Sequence, residues 1–239
     1  MKRKKIAIIG QGNVGSHLFN ALKDKAIVKT VNSHTLENLP SDADLILICV
    51  SDNAIEEVVS RLPESNAVIA HTSGSIGINV LKEQGGKYGV MYPLQTFTKG
   101  VDLNYKEIPV FLEGSNLETL DILKETAALF TEDIRYADSE QRRQLHLASV
   151  FTCNFVNALA AIGEDLLKKS GIDFSAVRPL MKQTVNKLDF LTPQEAQTGP
   201  ARRKDTKVLE THLSMLSSKP EYQLIYRLLT ETIQKHYEI

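Results

Sequence analysis

From Lys4 to about Tyr136, short β-branched runs alternate with stretches whose apolar positions recur every three or four residues, the signature of a parallel sheet covered by helices. The pattern predicts strands at 5–10, 27–32, 45–50, 67–71, 89–92 and 109–113. Leu45-Ile46-Leu47-Ile48-Cys49-Val50 is apolar throughout rather than alternating, which predicts a central strand covered on both faces. Val14, Leu18, Ala21 and Leu22 keep helical spacing, as do Leu117, Leu120, Leu123 and Ala127, where Ser115 and Glu118 are set as a capping box.

After Tyr136 the strand signals stop. Asp138 or Ser139 can cap a long helix in which Leu145, Ala148, Thr152, Phe155, Leu159, Ile162 and Leu166 form a packing seam. Because 145–162 is apolar nearly all round, burial on both sides is expected. Further helices are predicted at 175–188, 205–217 and 220–236, the last opening on Pro220, tolerated in a first turn. The fold class is therefore α/β, a mostly parallel sheet domain over 1–136 followed by an all-α domain over 137–239.

Composition narrows the picture. The chain has 239 residues, with 28 Lys and Arg against 29 Asp and Glu. That balance argues against nucleic acid as a partner, since such binders carry a basic surplus. Cys49 and Cys153 form no metal-site or redox spacing and read as reduced and buried. Lys2, Arg3, Lys4 and Lys5 imitate the start of a signal peptide, but the apolar run behind them stops at Gly10, so a cytoplasmic protein is expected. No unbroken apolar run nears the roughly 20 residues of a membrane span, so no membrane partner is expected either.

Gly10-Gln11-Gly12-Asn13-Val14-Gly15 matches GxGxxG between a strand and a helix. In a Rossmann-type domain the first glycine allows the tight turn, the second lets the backbone approach a pyrophosphate, and the third lets helix pack on strand. A glycine-rich turn without a ligand is the alternative. The second strand ends in Asn32-Ser33-His34-Thr35, with no carboxylate before Glu37 to hold an adenosine ribose. That absence favours NADP over NAD, although the arginine often found for a 2′-phosphate is missing from the turn.

Val50-Ser51-Asp52-Asn53 closes the central strand and should border the cofactor, with Asn53 and Glu56 set to cap the next helix. His71-Thr72-Ser73-Gly74-Ser75 closes the following strand and makes a candidate nicotinamide or substrate rim; a hydrogen-bonded core histidine is the alternative for His71. Tyr92-Pro93-Leu94-Gln95-Thr96-Phe97 follows as a fixed loop near the same edge. At 100° per residue, His146, Cys153 and Asn157 fall within about 40° of one another, opposite the seam, with Asn154 a little further round. Either this stripe bonds neighbouring helices or it meets a substrate, with His146 as proton donor. Arg202-Arg203-Lys204-Asp205 could hold an anionic substrate group, or be a solvated charge run.

Taken together, GQGNVG, HTSGS at 71–75, YPLQTF at 92–97, HLASVFTCNF at 146–155 and TGPARRKD at 198–205 resemble the Rossmann-like NADP oxidoreductases carrying the C-terminal domain of unknown function 2520. More distantly, the first half resembles pyrroline-5-carboxylate reductase. The resemblance implies NADP bound at Gly10, Gln11, Gly12, Asn13 and Val14, near Asn32, Ser33 and His34, and beside Val50, Ser51, Thr72 and Ser73. It also implies a helical dimerisation domain, and with it a homodimer. Two departures stand out: Lys204 precedes Asp205 where the family usually has glycine, and Val150 stands four residues before Asn154 where related hydroxyacid dehydrogenases carry a lysine acid. His146 and Asn154 are therefore the candidate catalytic pair. The expected activity is NADP(H)-dependent hydride transfer to or from a small carbonyl, hydroxyl, imine or amine substrate. A dinucleotide-binding regulatory or scaffold protein is the alternative.

Overall fold

A computed structural model describes residues 3–237, so Lys2 of the basic N-terminal run lies outside the described residues. Seven strands form one sheet: β1 (Lys5–Ile9), β2 (Ile27–Val31), β3 (Leu45–Ile48), β4 (Val68–His71), β5 (Tyr88–Pro93), β6 (Val110–Gly114) and β7 (Ile134–Tyr136). Their order is β2-β1-β3-β4-β5-β6-β7, and every pairing is parallel except β5 with β6. This is the expected α/β, Rossmann-like sheet. The three-residue Ile-Arg-Tyr of β7 is an addition; it is too short, and too exposed at the sheet edge, to show period-two alternation.

The continuous apolar strands feed two cores. Ile6, Ile8, Leu45 and Leu47 face α1 (Asn13–Leu22) and α3 (Leu117–Ala127), packing with Leu18, Leu22, Leu123 and Ala127. Ala7, Ile9, Ile46 and Ile48 face the other way, onto Ile55, Val58 and Val59 of α2 (Ile55–Ser60). Each such Leu or Ile contributes roughly 1.5–3 kcal/mol by leaving water.

Two expected caps differ. Asn116, not Ser115, caps α3, its Oδ1 accepting the Thr119 N–H at 2.8 Å. Ser115 instead donates to the Gly86 carbonyl at 2.8 Å and its oxygen accepts the Tyr88 N–H at 3.2 Å, which takes it out of competition for the cap. Asn53 caps nothing: it lies inside a short 3-10 turn that leads into α2, and that helix has no side-chain cap. Of the two caps offered for the long helix, Asp138 is the one used by α4 (Ser139–Ser149), and Gln141 completes a capping box with it.

The chain clusters into two compact units, 1–154 and 155–239. α4 counts with the sheet unit because Arg142, fully buried, is anchored on strand and loop atoms. The helical run continues from Ser139 to Ser170 through a π turn at Val150–Asn154 into α5 (Phe155–Leu167). A π turn carries an extra residue, so positions beyond it are rotated from the 100° progression. The stripe expected of His146, Cys153 and Asn157 is thereby interrupted.

Three further expectations change on this helix. Cys153 is exposed, not buried, whereas Cys49 is buried. The segment read as buried on both sides is open in the single chain, with Phe155, Leu159 and Leu166 exposed by 48%, 41% and 45%. Finally, an 18-residue window within Ser139–Ser170 has mean hydropathy 1.5, so length and composition alone would suffice for a membrane span. Counting only unbroken apolar residues missed this, because the window tolerates its interspersed polar side chains.

In the second unit, α6 (Arg178–Asn186), α7 (Pro193–Ala196), α8 (Thr206–Met215) and α9 (Pro220–His236) follow α5. Asp165 gathers Lys219 and the Tyr222 hydroxyl, and His212 Nδ1 meets the Tyr226 hydroxyl at 2.8 Å. In the basic turn, Asp205 caps α8 and Arg202 stacks 3.8 Å over the Tyr237 ring. Lys204 has φ of 53°, the left-handed backbone for which glycine is suited.

Candidate dinucleotide and proton-transfer site

The register sets the edge. Ile9 pairs with Val31 and with Ile48, and Ile48 with His71. Residues just past these positions, Gly10, Asn32, Cys49 and Thr72, therefore emerge together at the carboxyl end of four parallel strands. The chain leaves β1 toward β2 on one side, while β3 lies on the other. Ligands of open α/β sheets bind at such a switch point.

The glycine turn is built as the motif requires. Gly10 has φ of +102°, and a Cβ there would lie 2.4 Å from the Cys49 carbonyl oxygen. At Gly15 a Cβ would lie 2.1 Å from the Gly10 carbonyl oxygen, so helix and strand could not close. Around Gly12 there is open space within 4 Å, and this glycine precedes α1 with no side chain capping the helix and no acidic residue in its first turn. Uncapped N–H groups at a helix start attract anions. Gln11, Gly12 and Asn13 are exposed at this turn, and Val14 is half-buried. Across it, Asn13 Oδ1 accepts the Lys99 N–H at 3.2 Å, and the Thr98 carbonyl lies 2.9 Å from Nε2 of the buried His17, fixing the loop after β5.

Asn32 and His34 are exposed and Ser33 half-buried at the end of β2, where Asn32 Oδ1 accepts the His34 N–H at 2.8 Å. Arg61, one residue past α2, donates to the carbonyls of His34 (2.6 Å) and Ser33 (2.7 Å). Sequence inspection found no arginine for this turn because this one comes from 27 residues along the chain.

Past β3, Val50 is half-buried and Ser51 exposed. Asp52 accepts from the Ser75 hydroxyl. Thr72 Oγ1 points back to the Ile48 carbonyl at 3.4 Å, and Ser73 Oγ accepts the N–H groups of Ser75 (3.1 Å) and Ile76 (3.0 Å). His71 is fully buried, and the Ser73 N–H donates to its Nδ1 at 3.2 Å. Burial, with help from the Arg142 charge, pushes the imidazole down to about 4, so it is neutral at pH 7.

Arg142 holds this turn from the helix side, donating to the carbonyls of Ser73 (3.0 Å) and Ile76 (2.6 Å). Its other Nη atom meets Glu113 Oε2 at 2.7 Å, an ion pair almost shut off from water. One turn further along α4 stands His146, whose Nδ1 lies 3.1 Å from the hydroxyl of Tyr92 at the end of β5. A Cβ on Gly74 would lie 2.7 Å from both this nitrogen and the Tyr92 ring, so the absence of a side chain there admits the pair. Burial raises the Tyr92 hydroxyl above its ordinary value, keeping it a proton donor at pH 7. Tyr92 was legible only as part of a fixed loop, not as a partner of His146. Asn154 ends the π turn, exposed, and no hydrogen bond joins it to His146 among the described residues.

The fold and this strand edge define a Rossmann-like α/β protein with a helical C-terminal part. Residues 108–233 match the family described as "Domain of unknown function (DUF2520)", more than half of the chain, and the chain belongs to that family. Among solved structures, a Bacteroides fragilis protein described as a "putative NADP oxidoreductase" is 37% identical, with TM-score 0.89 over 98% of each chain. A Thermotoga maritima protein is 21% identical, with TM-score 0.73 over 96% of this chain and 97% of its own. An Aspergillus terreus reductive aminase, solved with NADPH and ethyl-5-oxohexanoate, is 15% identical, with TM-score 0.73 over 99% of this chain and 95% of its own. The last two likenesses concern the fold alone. Among curated proteins no relative matches.

Proposed function

We propose that this protein is an NADP(H)-dependent oxidoreductase acting on a small carbonyl, hydroxyl, imine or amine substrate. The observation that carries the reading is the glycine turn, closed by sterics at Gly10 and Gly15 yet open at Gly12, where a pyrophosphate would need room. The Bacteroides fragilis relative supports the choice of NADP. Gln11, Gly12, Asn13 and Val14 would hold the pyrophosphate, Asn32, Ser33 and His34 the adenosine ribose, and Val50, Ser51, Thr72 and Ser73 the border toward the nicotinamide.

The nicotinamide would supply a hydride to the carbonyl or imine carbon, the oxygen or nitrogen taking a proton in the same conversion. The chain's part is that proton. With its Nδ1 held 3.1 Å from the Tyr92 hydroxyl, a protonated His146 would pass its Nε2 proton to the substrate and return to the neutral imidazole, to be reprotonated from water. Asn154 would orient the substrate from the end of the π turn.

Two copies would form the working unit, a homodimer through the helical half. The exposed Phe155, Leu159, Leu166, Leu228 and Leu229 support this, since apolar surface in that quantity calls for cover. Light scattering at micromolar concentration should give twice the chain mass; a monomer refutes the dimer. For the activity, NADPH oxidation should be followed across a panel of oxo acids, ketones and ketone–amine mixtures. Turnover of one class supports the oxidoreductase; tight NADPH binding with no turnover across the panel favours a regulatory or scaffold role.

A further inference from the structure

We propose that Arg61 is the residue that makes this protein prefer a cofactor with a 2′-phosphate. The inference rests on the dinucleotide reading above and extends it to a residue outside the glycine and strand-end motifs. The turn after β2 runs Asn32-Ser33-His34-Thr35-Leu36-Glu37-Asn38-Leu39, with neither lysine nor arginine. A phosphate ester at that turn would meet neutral groups, His34 and the Glu37 carboxylate, and no fixed positive charge. Arg61 changes this, because its guanidinium reaches back along α2 and docks on the turn.

The geometry is that of a fork. Nη1 and Nη2 donate to successive carbonyls, His34 and Ser33, at 2.6 and 2.7 Å, while Nε donates to the Glu57 carbonyl at 3.3 Å. The facing carboxylate is Glu57, 3.5 Å from Nη2 and 69% exposed, so water screens much of its compensation. A guanidinium has five N–H groups in a planar fork suited to phosphate, and these contacts do not use them all. The clamp also has a directional effect. In a trans peptide N–H and C=O point opposite ways, so drawing the His34 carbonyl to Arg61 turns the Thr35 N–H to the other side of the turn. Arg61 thus brings positive charge to the turn and fixes its backbone.

The test is calorimetric titration of NADPH and NADH on the full chain, wild type, Arg61→Ala and Arg61→Lys, with thermal melts alongside. Arg61→Ala should weaken NADPH roughly 10- to 100-fold, the range for losing a charge-assisted contact, and NADH less than about 3-fold. Arg61→Lys should recover part of the NADPH affinity, since it restores the charge without the fork. If Arg61→Ala leaves the NADPH-to-NADH ratio at the wild-type value, Arg61 is not the selector, while NADPH binding by the wild type keeps the cofactor reading intact. Equal weakening of both cofactors with a lowered melting temperature makes Arg61 a structural clamp and also overturns the proposal. A wild-type chain that binds neither cofactor overturns the dinucleotide reading itself.

Discussion

The Tyr92 hydroxyl sits 3.1 Å from Nδ1 of His146, joining the end of a sheet strand to the last turn of α4 across 54 positions of sequence. If this pair delivers the proton, His146→Asn should lower turnover by about 10²- to 10⁴-fold, the usual worth of general acid catalysis. Tyr92→Phe should cost less, and adding it to His146→Asn should cost little more, since the two act as a unit. Steady-state kinetics of the three variants, with NADPH affinity measured in parallel, checks this. Unchanged turnover in His146→Asn would remove the imidazole from the chemistry.

His146 owes its position to Arg142, one turn earlier. Replacing Glu113 by Gln should leave that guanidinium without its carboxylate in an almost dry site, at a cost of roughly 3 kcal/mol. Urea unfolding measures it. A change below about 1 kcal/mol would mean the carbonyls of Ser73 and Ile76 suffice to hold the helix.

His71 sets a pH dependence. Its folded value of about 4 lies below the ordinary 6.5, so between those values the unfolded chain binds more protons. Its contribution is complete above pH 6.5 and is lost as the pH falls toward 4, on the order of 3 kcal/mol in all. Unfolding at pH 7.5 and at pH 5 should therefore show a larger loss for wild type than for His71→Asn. Equal losses would mean the imidazole is not held neutral in the fold.

Lys204 carries a left-handed backbone at 53°. Lys204→Gly should stabilise the protein by up to about 1 kcal/mol, the steric relief less the entropy glycine loses on folding. A thermal melt decides the sign; a lowered melting temperature would show that the lysine side chain contributes more than the strain costs.

What could be read from the sequence was local. The GxGxxG turn, the continuous apolar β3 and a helix cap at Asp138 or Ser139 are each set by neighbours within a few residues, and each is present, the cap at Asp138. The contacts missed are long-range: Arg61 to His34, Arg142 to Glu113 and Tyr92 to His146 join distant positions that no spacing rule connects. Ser115 and Asn116 are both good caps, and the Tyr88 N–H, brought to the Ser115 hydroxyl by folding, decided between them. The apolarity of 145–162 indicated burial, whereas that segment is open in the single chain, and the π turn shifted the helical phase by a device that leaves no periodic mark.

The most direct test of the dinucleotide site is calorimetric titration of NADPH on wild type, Gly12→Ala and Gly15→Ala, each with a thermal melt. A Cβ at Gly12 meets nothing within 4 Å, whereas one at Gly15 lies 2.1 Å from the Gly10 carbonyl oxygen. Gly12→Ala should therefore melt close to wild type and bind NADPH at least about 10-fold more weakly, because the added methyl occupies the pyrophosphate's approach. Gly15→Ala should melt markedly lower. Wild-type NADPH affinity in a folded Gly12→Ala protein, or no NADPH binding by the wild type, would contradict the account.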